Sequence, residues 1–281
     1  RGIPVVANIA GLGQAFANEN WLRHMIKWLY RLALRRAHVF FQNLEDQAQF
    51  VTEHLVDRDR TERLPGSGVD TEYFSPRAGR TVLGREKTLP IEKPFTFLMV
   101  GRLLRDKGVA EYVEAARRRR TDTDNVLFHL LGFVDTRHPN GITPNDIQSW
   151  ERDGIIDYLG HSDDVRTYYA QANCVVLPSY YREGVPRTLL EAASMGLPVI
   201  TTNTAGCRDA VEDGVTGLLV RPRDVDDLVS KMREMVHMTD DSRQRMGSQG
   251  RSRMCRDFSE KLVIQRYVGA VKRLGVISNA T

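Results

Sequence analysis

The sequence predicts an α/β protein built on a parallel sheet with helices on both faces, and two observations predict it. Runs of strand length alternate with runs of helical period from Phe95 onward, the trace left by strand–helix–strand crossovers. The 281 residues suggest about two domains at roughly 150 residues each. A stretch rich in Pro, Gly and charge from Pro76 to Pro94 divides them as a linker.

Before the linker, Ile3–Ile9 reads as a buried strand closed by the turn Gly11-Leu-Gly13. Residues 21–37 carry Trp21, Leu22, Met25, Ile26, Trp28, Leu29, Leu32 and Ala33 at helical spacing, with Arg23, Lys27, Arg31, Arg35 and Arg36 opposite. A strand over His38–Gln42 and a helix over Glu45–His54 follow, then the turn-rich Leu64–Asp70. After the linker, strands are expected at 95–101, Val126–Leu131, Ile155–Leu159, Cys174–Pro178, Pro198–Thr202 and Gly217–Val220. Helices are expected at Val109–Arg119, Asp146–Arg152, Val165–Ala172, Arg187–Met195 and Asp226–Met238, and the tail from about Asp241 to Leu274 reads as helical with no further strand.

Composition narrows the classes. A hydrophobic content of 41% with 27% charged residues fits an ordinary globular chain and argues against disorder. A net charge of +4 is too small to nominate nucleic acid as a partner. The 40 basic residues are 33 Arg and 7 Lys, a bias that composition alone can explain. No apolar run approaches the roughly 20 residues of a spanning helix. Cys174, Cys207 and Cys255 lack metal-ligand spacing and suit a reducing compartment. The chain starts at Arg1 directly ahead of a strand, without Met or a signal peptide, so a piece of a longer protein is expected.

In a sheet of this kind ligands sit beyond the carboxyl ends of the strands, near helix N-termini. After Val100 comes Gly101-Arg-Leu-Leu-Arg-Asp-Lys-Gly108. Gly101 permits a tight strand exit, and Arg102 with Lys107 sets two cations beside a helix start. Such cations suit a diphosphate, and they equally suit solvated loop charges. After Pro178 comes Ser179-Tyr-Tyr-Arg-Glu-Gly-Val-Pro-Arg-Thr-Leu-Leu-Glu191. Pro186 fits a first helical position, and Gly184 leaves the backbone open to close approach. Glu183 lies in the loop, and Glu191 lies roughly 7–8 Å along the helix. Both can accept from vicinal hydroxyls. Glu191 sits in an otherwise apolar run, where a carboxylate needs partners.

The stretch Arg182-Glu-Gly-Val-Pro-Arg-Thr-Leu-Leu-Glu-Ala192, with seven residues between its two glutamates, resembles the signature of glycosyltransferase family 4. Leu64–Pro76, Gly101–Gly108, Leu130–Phe133, Tyr158–Val165 and Thr204–Val211 fit the same family in the expected order. The resemblance implies two facing Rossmann-like domains and a retaining transfer that needs no metal and no cofactor. Residues 1–75 would be the terminal portion of an acceptor-side domain, 76–94 the linker and 95–257 the nucleotide-sugar donor domain. Residues 258–281 would be a C-terminal helix crossing back to the first domain. Arg102 and Lys107 would hold the donor diphosphate, Glu183 a sugar hydroxyl, and the Gly184 and Val185 amides the rest of the sugar and its phosphate. Glu191 would take the ribose diol, and Gly160 and His161 would lie near the base. Gly101 and Pro186 complete the expected donor site. No side-chain nucleophile is implied. The acceptor hydroxyl would attack on the leaving-group face, its proton passing to a donor phosphate oxygen.

Departures from the family are a missing Gly-rich loop near the start of the first domain and Asn8-Ile-Ala-Gly-Leu-Gly13 where many members carry a His. Gly11-Leu-Gly-Gln-Ala-Phe16 is similar to the subgroup that acts on polyprenyl-linked sugars. The expected function is therefore transfer of a sugar, an N-acetylhexosamine by subgroup, from a UDP-sugar to a lipid-linked saccharide for bacterial cell-surface polysaccharide. Its place would be the cytoplasmic face of the inner membrane. A nucleotide-sugar epimerase of similar fold and a non-catalytic nucleotide-sugar module are the alternatives. Residues 21–37 can be read as contact with an anionic membrane surface; the simpler expectation is a domain helix with its apolar stripe in the core. Arg117–Arg120 reads as a solvated helix end more than as a phosphate-attracting surface. Cys207, at a helix start, reads as a packed residue more than as a thiol of lowered pKa.

Overall fold

The computed structural model describes residues 3–12, 21–76, 94–120, 122 and 125–275. The expected linker at 76–94 and the segment 13–16 of the glycine turn therefore fall largely outside the described residues. In chain order the elements are β1 (Val6–Ile9), α1 (Trp21–Leu34), β2 (His38–Phe41), α2 (Leu44–Thr52), β3 (Thr61–Arg63) and β4 (Phe95–Val100). Then come α3 (Val109–Arg119), β5 (Val126–Leu131), α4 (Pro144–Arg152), β6 (Asp157–Tyr158), α5 (Arg166–Gln171), β7 (Cys174–Leu177) and α6 (Arg187–Ser194). The chain closes with β8 (Val199–Thr202), α7 (Cys207–Ala210), β9 (Gly217–Val220), α8 (Val225–His237), α9 (Asp240–Asp257) and α10 (Glu260–Arg273).

Six of these strands form a parallel sheet in the order β6-β5-β4-β7-β8-β9. In sequence terms this is 3-2-1-4-5-6, the doubly wound Rossmann order. The chain begins in the middle at β4, winds outward to β6, and crosses back to lay β7 against β4's other edge. Phe97 and Leu98 of β4 pair with Cys174 and Val175 of β7. Here the winding reverses, and loops on either side diverge to leave a crevice at the carboxyl ends. β4, β7 and β8 are buried along almost their whole length, β4 and β7 being mostly apolar, as strands covered by helices on both faces must be. Phe97 stacks on Phe128 at 5.5 Å between centroids. The buried Tyr112 of α3 donates its hydroxyl to the carbonyls of Phe97 and His129, 3.1 Å each.

β1, β2 and β3 make a second parallel sheet. Its own core gathers Val39, Phe41, Phe50 and Leu55. On its other face α10 lies down: Phe40, Leu64, Val263 and Ala270 cluster there, and Tyr267 meets Phe40 edge-on at 4.8 Å. Ser259 caps α10, and the backbone of Val69 bonds to Phe258 and Glu260. Arg251 of α9 donates to the carbonyls of Thr71, Phe74 and Ser194. These contacts pin the chain leaving the first sheet against the second.

The tail is helical, as expected, and forms two helices: Phe258 and Ser259 interrupt it and the Ser259 side chain starts the second. A strand, β3, occupies Thr61–Arg63, where an edge position of half-buried polar residues leaves no apolar alternation to read. One expectation is corrected, that for α1. Its apolar stripe was expected in the core, yet Trp21, Met25, Trp28, Leu29 and Leu32 are 75%, 42%, 60%, 48% and 61% exposed. Two of the basic residues turn inward instead: Arg23 and Lys27 pair with Glu53 at 3.3 and 3.0 Å. Arg31 donates to the carbonyls of Glu53 and His54. Among the described residues of α1, Leu34 joins the core of the first sheet, with Ile26 and Tyr30 packed against it.

Candidate functional site

The crevice between β4 and β7 holds the closest convergence of charge near the predicted residues. Lys107 leaves a short 3-10 turn after β4, and Glu183 lies in the loop after β7. Lys107 Nζ reaches both Glu183 carboxylate oxygens at 2.6 Å. Ser179 Oγ donates to Glu183 Oε1 at 3.1 Å. Two loops from opposite sides of the winding reversal thus meet through one ion pair, with side chains 13% and 18% exposed.

The backbone makes this meeting possible. Asp106 is buried, and its carbonyl accepts from the amides of Tyr180 and Tyr181, 3.0 Å each, and from Ser179 Oγ at 3.4 Å. Asn140 Nδ2 reaches the Asp106 carboxylate at 3.4 Å. Gly108 adopts φ +82°, and a Cβ there would lie 2.2 Å from the Pro178 carbonyl oxygen. The glycine lets the loop after β4 sit directly on the exit of β7.

Arg102 is exposed and forms no ion pair with a described residue. It stands two residues past β4, beside the start of α6: Thr188 Oγ1 donates to the Val100 carbonyl at 3.2 Å. Glu191, one turn further along α6, is held by Arg187 Nε and the Tyr169 hydroxyl, 3.3 Å each. Burial pushes its carboxyl above the ordinary value, against the opposing pull of Arg187 and the Tyr169 hydrogen bond. Neither Arg102 nor Glu191 makes a hydrogen bond or ion pair with Lys107 or Glu183 among the described residues; Arg102 follows β4 and Glu191 lies on α6, the helix after the Glu183 loop.

Three glycines follow the adjacent strands β4, β5 and β6. The Gly101 amide bonds to the Leu131 carbonyl and the Gly132 amide to the Gly160 carbonyl, at 3.0 and 2.8 Å. They leave a floor of bare backbone. Beyond it, exposed His161 packs edge-on to Phe133 at 6.3 Å. Pro186 caps α6 in an extended conformation, one position earlier than the helical start expected for it. Val185 is buried.

The Gly184 amide differs from its expected role. It already donates to the Ala10 carbonyl across the two sheets, at 2.6 Å. Gly11 and Gly206 pack on the same loop, where a Cβ would come within 2.6 Å of Glu183 Cα and 2.1 Å of the Gly184 oxygen. A Cβ on Gly184 itself would strike Gln42 Oε1. The first sheet thus closes directly onto the Glu183 loop. Arg182 reaches Gln49 of α2 at 3.4 Å, and Arg208 pairs with Glu45. Asp46 is 3% exposed, held by Asn43 Nδ2 at 2.9 Å, and its carboxyl is raised by burial. These residues bound a cavity of about 230 Å³ running from Glu45 and Asp46 past Glu183 to Asn203. Sequence reasoning passed over Gln42–Asp46, because nothing local signals contact with a loop 140 residues away.

A slightly larger cavity of about 280 Å³ lies at the other edge of the sheet, by Arg119, Arg120 and the starts of β5 and β6. It is remote from the strand exits. The arginine run there is engaged: Arg118 pairs with Glu114 and Asp226, Arg119 with Asp122. Cys207 is buried and its thiol raised by that burial, so it is a packed residue. Among the described residues no three His, Cys, Asp or Glu side chains are grouped to hold a metal ion. No described helix is long and apolar enough to cross a membrane.

Comparison with known proteins agrees with the geometry. The profile of the family "Glycosyl transferases group 1" matches residues 84–253. The N,N'-diacetylbacillosaminyl-diphospho-undecaprenol alpha-1,3-N-acetylgalactosaminyltransferase of Campylobacter jejuni is 26% identical over 275 residues, 95% of this chain and 70% of that protein. The UDP-Gal:alpha-D-GlcNAc-diphosphoundecaprenol alpha-1,3-galactosyltransferase of Escherichia coli is 29% identical over 246 residues, 85% of this chain and 61% of that one. The chain thus spans less than two thirds of some relatives. Among solved structures, Anabaena HepE in complex with UDP superposes with a TM-score of 0.79 at 19% identity, covering 96% of this chain and 72% of that one. A likeness so distant in sequence speaks for the fold alone.

Proposed function

The chain belongs to the group 1 glycosyl transferases, and from that premise we propose that it transfers a sugar from a UDP-sugar to a lipid-linked saccharide, with retention, as in family 4. The observation that carries this is the Lys107–Glu183 pair at the β4–β7 reversal. In this reading Arg102 supplies a forked guanidinium and Lys107 a mobile ammonium to a diphosphate whose negative charge grows as it departs. Glu183 accepts from a donor-sugar hydroxyl and Glu191 from the ribose diol. The glycine floor leaves room for the base beside His161. Pro186 and Val185 shape the turn under the sugar. The chemistry rests on positioning and charge stabilisation, and calls for neither a side-chain nucleophile nor a metal.

Both named relatives act on sugars linked to diphospho-undecaprenol, as their names state. That supports a polyprenyl-linked acceptor for cell-surface polysaccharide; the Campylobacter jejuni relative, an N-acetylgalactosaminyltransferase by name, supports an N-acetylhexosamine as donor sugar, while the Escherichia coli relative is named for galactose. The exposed Trp21-Met25-Trp28-Leu29-Leu32 stripe of α1 supports peripheral contact with the cytoplasmic face of a bacterial inner membrane, where such acceptors would be met.

Calorimetry with UDP tests the donor site. Arg102→Ala and Glu191→Ala should each weaken binding by about 1.5–3 kcal/mol, the usual worth of a hydrogen bond to a charged group. Unchanged affinity in both variants refutes the assignment. Product analysis with a UDP-sugar and a polyprenyl-diphosphate saccharide separates transfer from epimerisation or from binding without turnover.

A further inference from the structure

We propose that Tyr169 is a positioning residue for the sugar nucleotide: its buried hydroxyl orients the Glu191 carboxylate and favours the ionised form that a ribose diol needs. This deepens the function proposed above and rests on it. Tyr169 lies on α5 and is fully buried. Its hydroxyl crosses to α6, 3.3 Å from Glu191 Oε2 and 3.5 Å from the Thr188 carbonyl. The phenol carries one proton for these two acceptors. When Glu191 is ionised the proton goes to the carboxylate, because a hydrogen bond to a charged acceptor is the stronger. When Glu191 is protonated, the Thr188 carbonyl takes it. The hydroxyl thus selects the ionised form.

The geometry divides the carboxylate between protein and ligand. An ionised carboxylate offers about four acceptor positions over its two oxygens. Arg187 Nε takes one on Oε1 and Tyr169 one on Oε2, 3.3 Å each. One position remains on each oxygen, which is what two neighbouring hydroxyls need. Tyr169 is itself braced. Phe74 meets its ring edge-on at 6.5 Å, and the Phe74 carbonyl accepts from Ser194 Oγ at 2.6 Å and Arg251 Nη1 at 3.1 Å. The segment leaving the first sheet therefore supports the side chain that aims Glu191. Electrostatics agree. Burial raises the Glu191 carboxyl, opposed by Arg187 of its own helix and by the Tyr169 hydrogen bond. The other cations on the packed elements are engaged elsewhere: Arg166 of α5 by Asp164 and the Tyr73 ring, and Arg251 of α9 by backbone carbonyls. Burial pushes the Tyr169 phenol well above its ordinary value, so it stays a donor while Glu191 titrates.

The test is calorimetry with UDP on the full chain and on Tyr169→Phe, between about pH 4.5 and 8, a range that spans a raised carboxylate's titration. The variant keeps the ring and removes only the hydroxyl. At the alkaline end its affinity should fall about threefold to tenfold, because Glu191 is ionised there but less well aimed. The midpoint of the acid loss should move up by about half a pH unit or more, because the ionised form has lost a charge-assisted hydrogen bond. Melting temperatures without UDP give a second reading: the gap between the two proteins should be smallest at the acid end and widen as pH rises. A profile that superimposes on wild type overturns the inference. So does a loss by one constant factor at every pH, the mark of a merely structural change, or a melting gap that does not widen. Glu191→Gln separates the inference from its premise. Should that variant bind UDP as tightly as wild type at every pH, Glu191 is no nucleotide ligand, and the ribose assignment falls before Tyr169 is considered.

Discussion

Two side chains set the character of the site, and each makes a separable prediction. Glu183 shares Lys107 with whatever diphosphate enters, because both oxygens already hold the ammonium at 2.6 Å. Glu183→Gln removes a negative charge from beside an anion site. UDP should therefore bind as tightly or more tightly, while sugar transfer falls by about 10²-fold or more through loss of a positioned acceptor. Calorimetry beside a transfer assay reads both halves; weaker UDP binding would contradict the competition. Glu191 predicts a pH dependence. Burial raises its carboxyl above 4.5, so folding favours the protonated form. The stability this group contributes is complete below its ordinary value and lost as pH climbs through the raised one. The ribose diol needs the ionised form as acceptor, so UDP affinity should fall on acidification, starting above the ordinary carboxylate range. Glu191→Gln should flatten that pH profile, and the melting-temperature gap between variant and wild type should widen as pH rises through the same window.

At the scale of elements, glycines decide how closely the strand-exit loops can approach. A Cβ on Gly132 would lie 1.7 Å from the Gly101 carbonyl oxygen, a backbone atom that cannot swing aside. Gly132→Ala should destabilise the protein by about 1–3 kcal/mol, as overpacking does, and weaken UDP binding; urea denaturation with calorimetry checks it. Local pattern made much of this architecture legible. α3, β5 and β9 fall on the predicted bounds, since α3 keeps a helical period and β5 and β9 are largely apolar runs bounded by turns. The glutamate-bearing helix and the cationic loop were equally readable, because each carries its chemistry within a dozen residues. What escaped reading depends on partners distant in sequence. β3 is half-buried Thr-Glu-Arg at a sheet edge, and Asn43 and Asp46 look like an ordinary helix cap until Glu183 is brought against them. The Gly184 amide looked free for a ligand, and only the packing of Ala10 shows it taken.

At the scale of the whole molecule, the two sheets face one another through the Glu183 loop, and α10 fastens the first sheet from behind. That arrangement leaves α1 on the outside of the first sheet with its aromatic stripe outward. A helical pattern alone could not foretell this, since either face of an amphipathic helix can turn inward when the other finds a partner. Glu53 supplies that partner: Arg23, Lys27 and Arg31 all bind it or its carbonyl. The outward face then combines Trp21 and Trp28 with exposed Arg35 and Arg36 just past the helix end, the mixture that seats a helix at a lipid headgroup layer. Each basic residue near an anionic surface contributes about 1 kcal/mol, screened by salt. The chain should therefore sediment with phosphatidylglycerol vesicles far more than with phosphatidylcholine vesicles, and less as salt rises. Trp21→Ser with Trp28→Ser should cut that binding about tenfold or more, because two large apolar side chains leave the interface. Both side chains are exposed on α1 and have no part in the proposed donor site, so UDP affinity should not change. Undiminished vesicle binding by the double variant would show that the stripe is covered by protein instead of lipid.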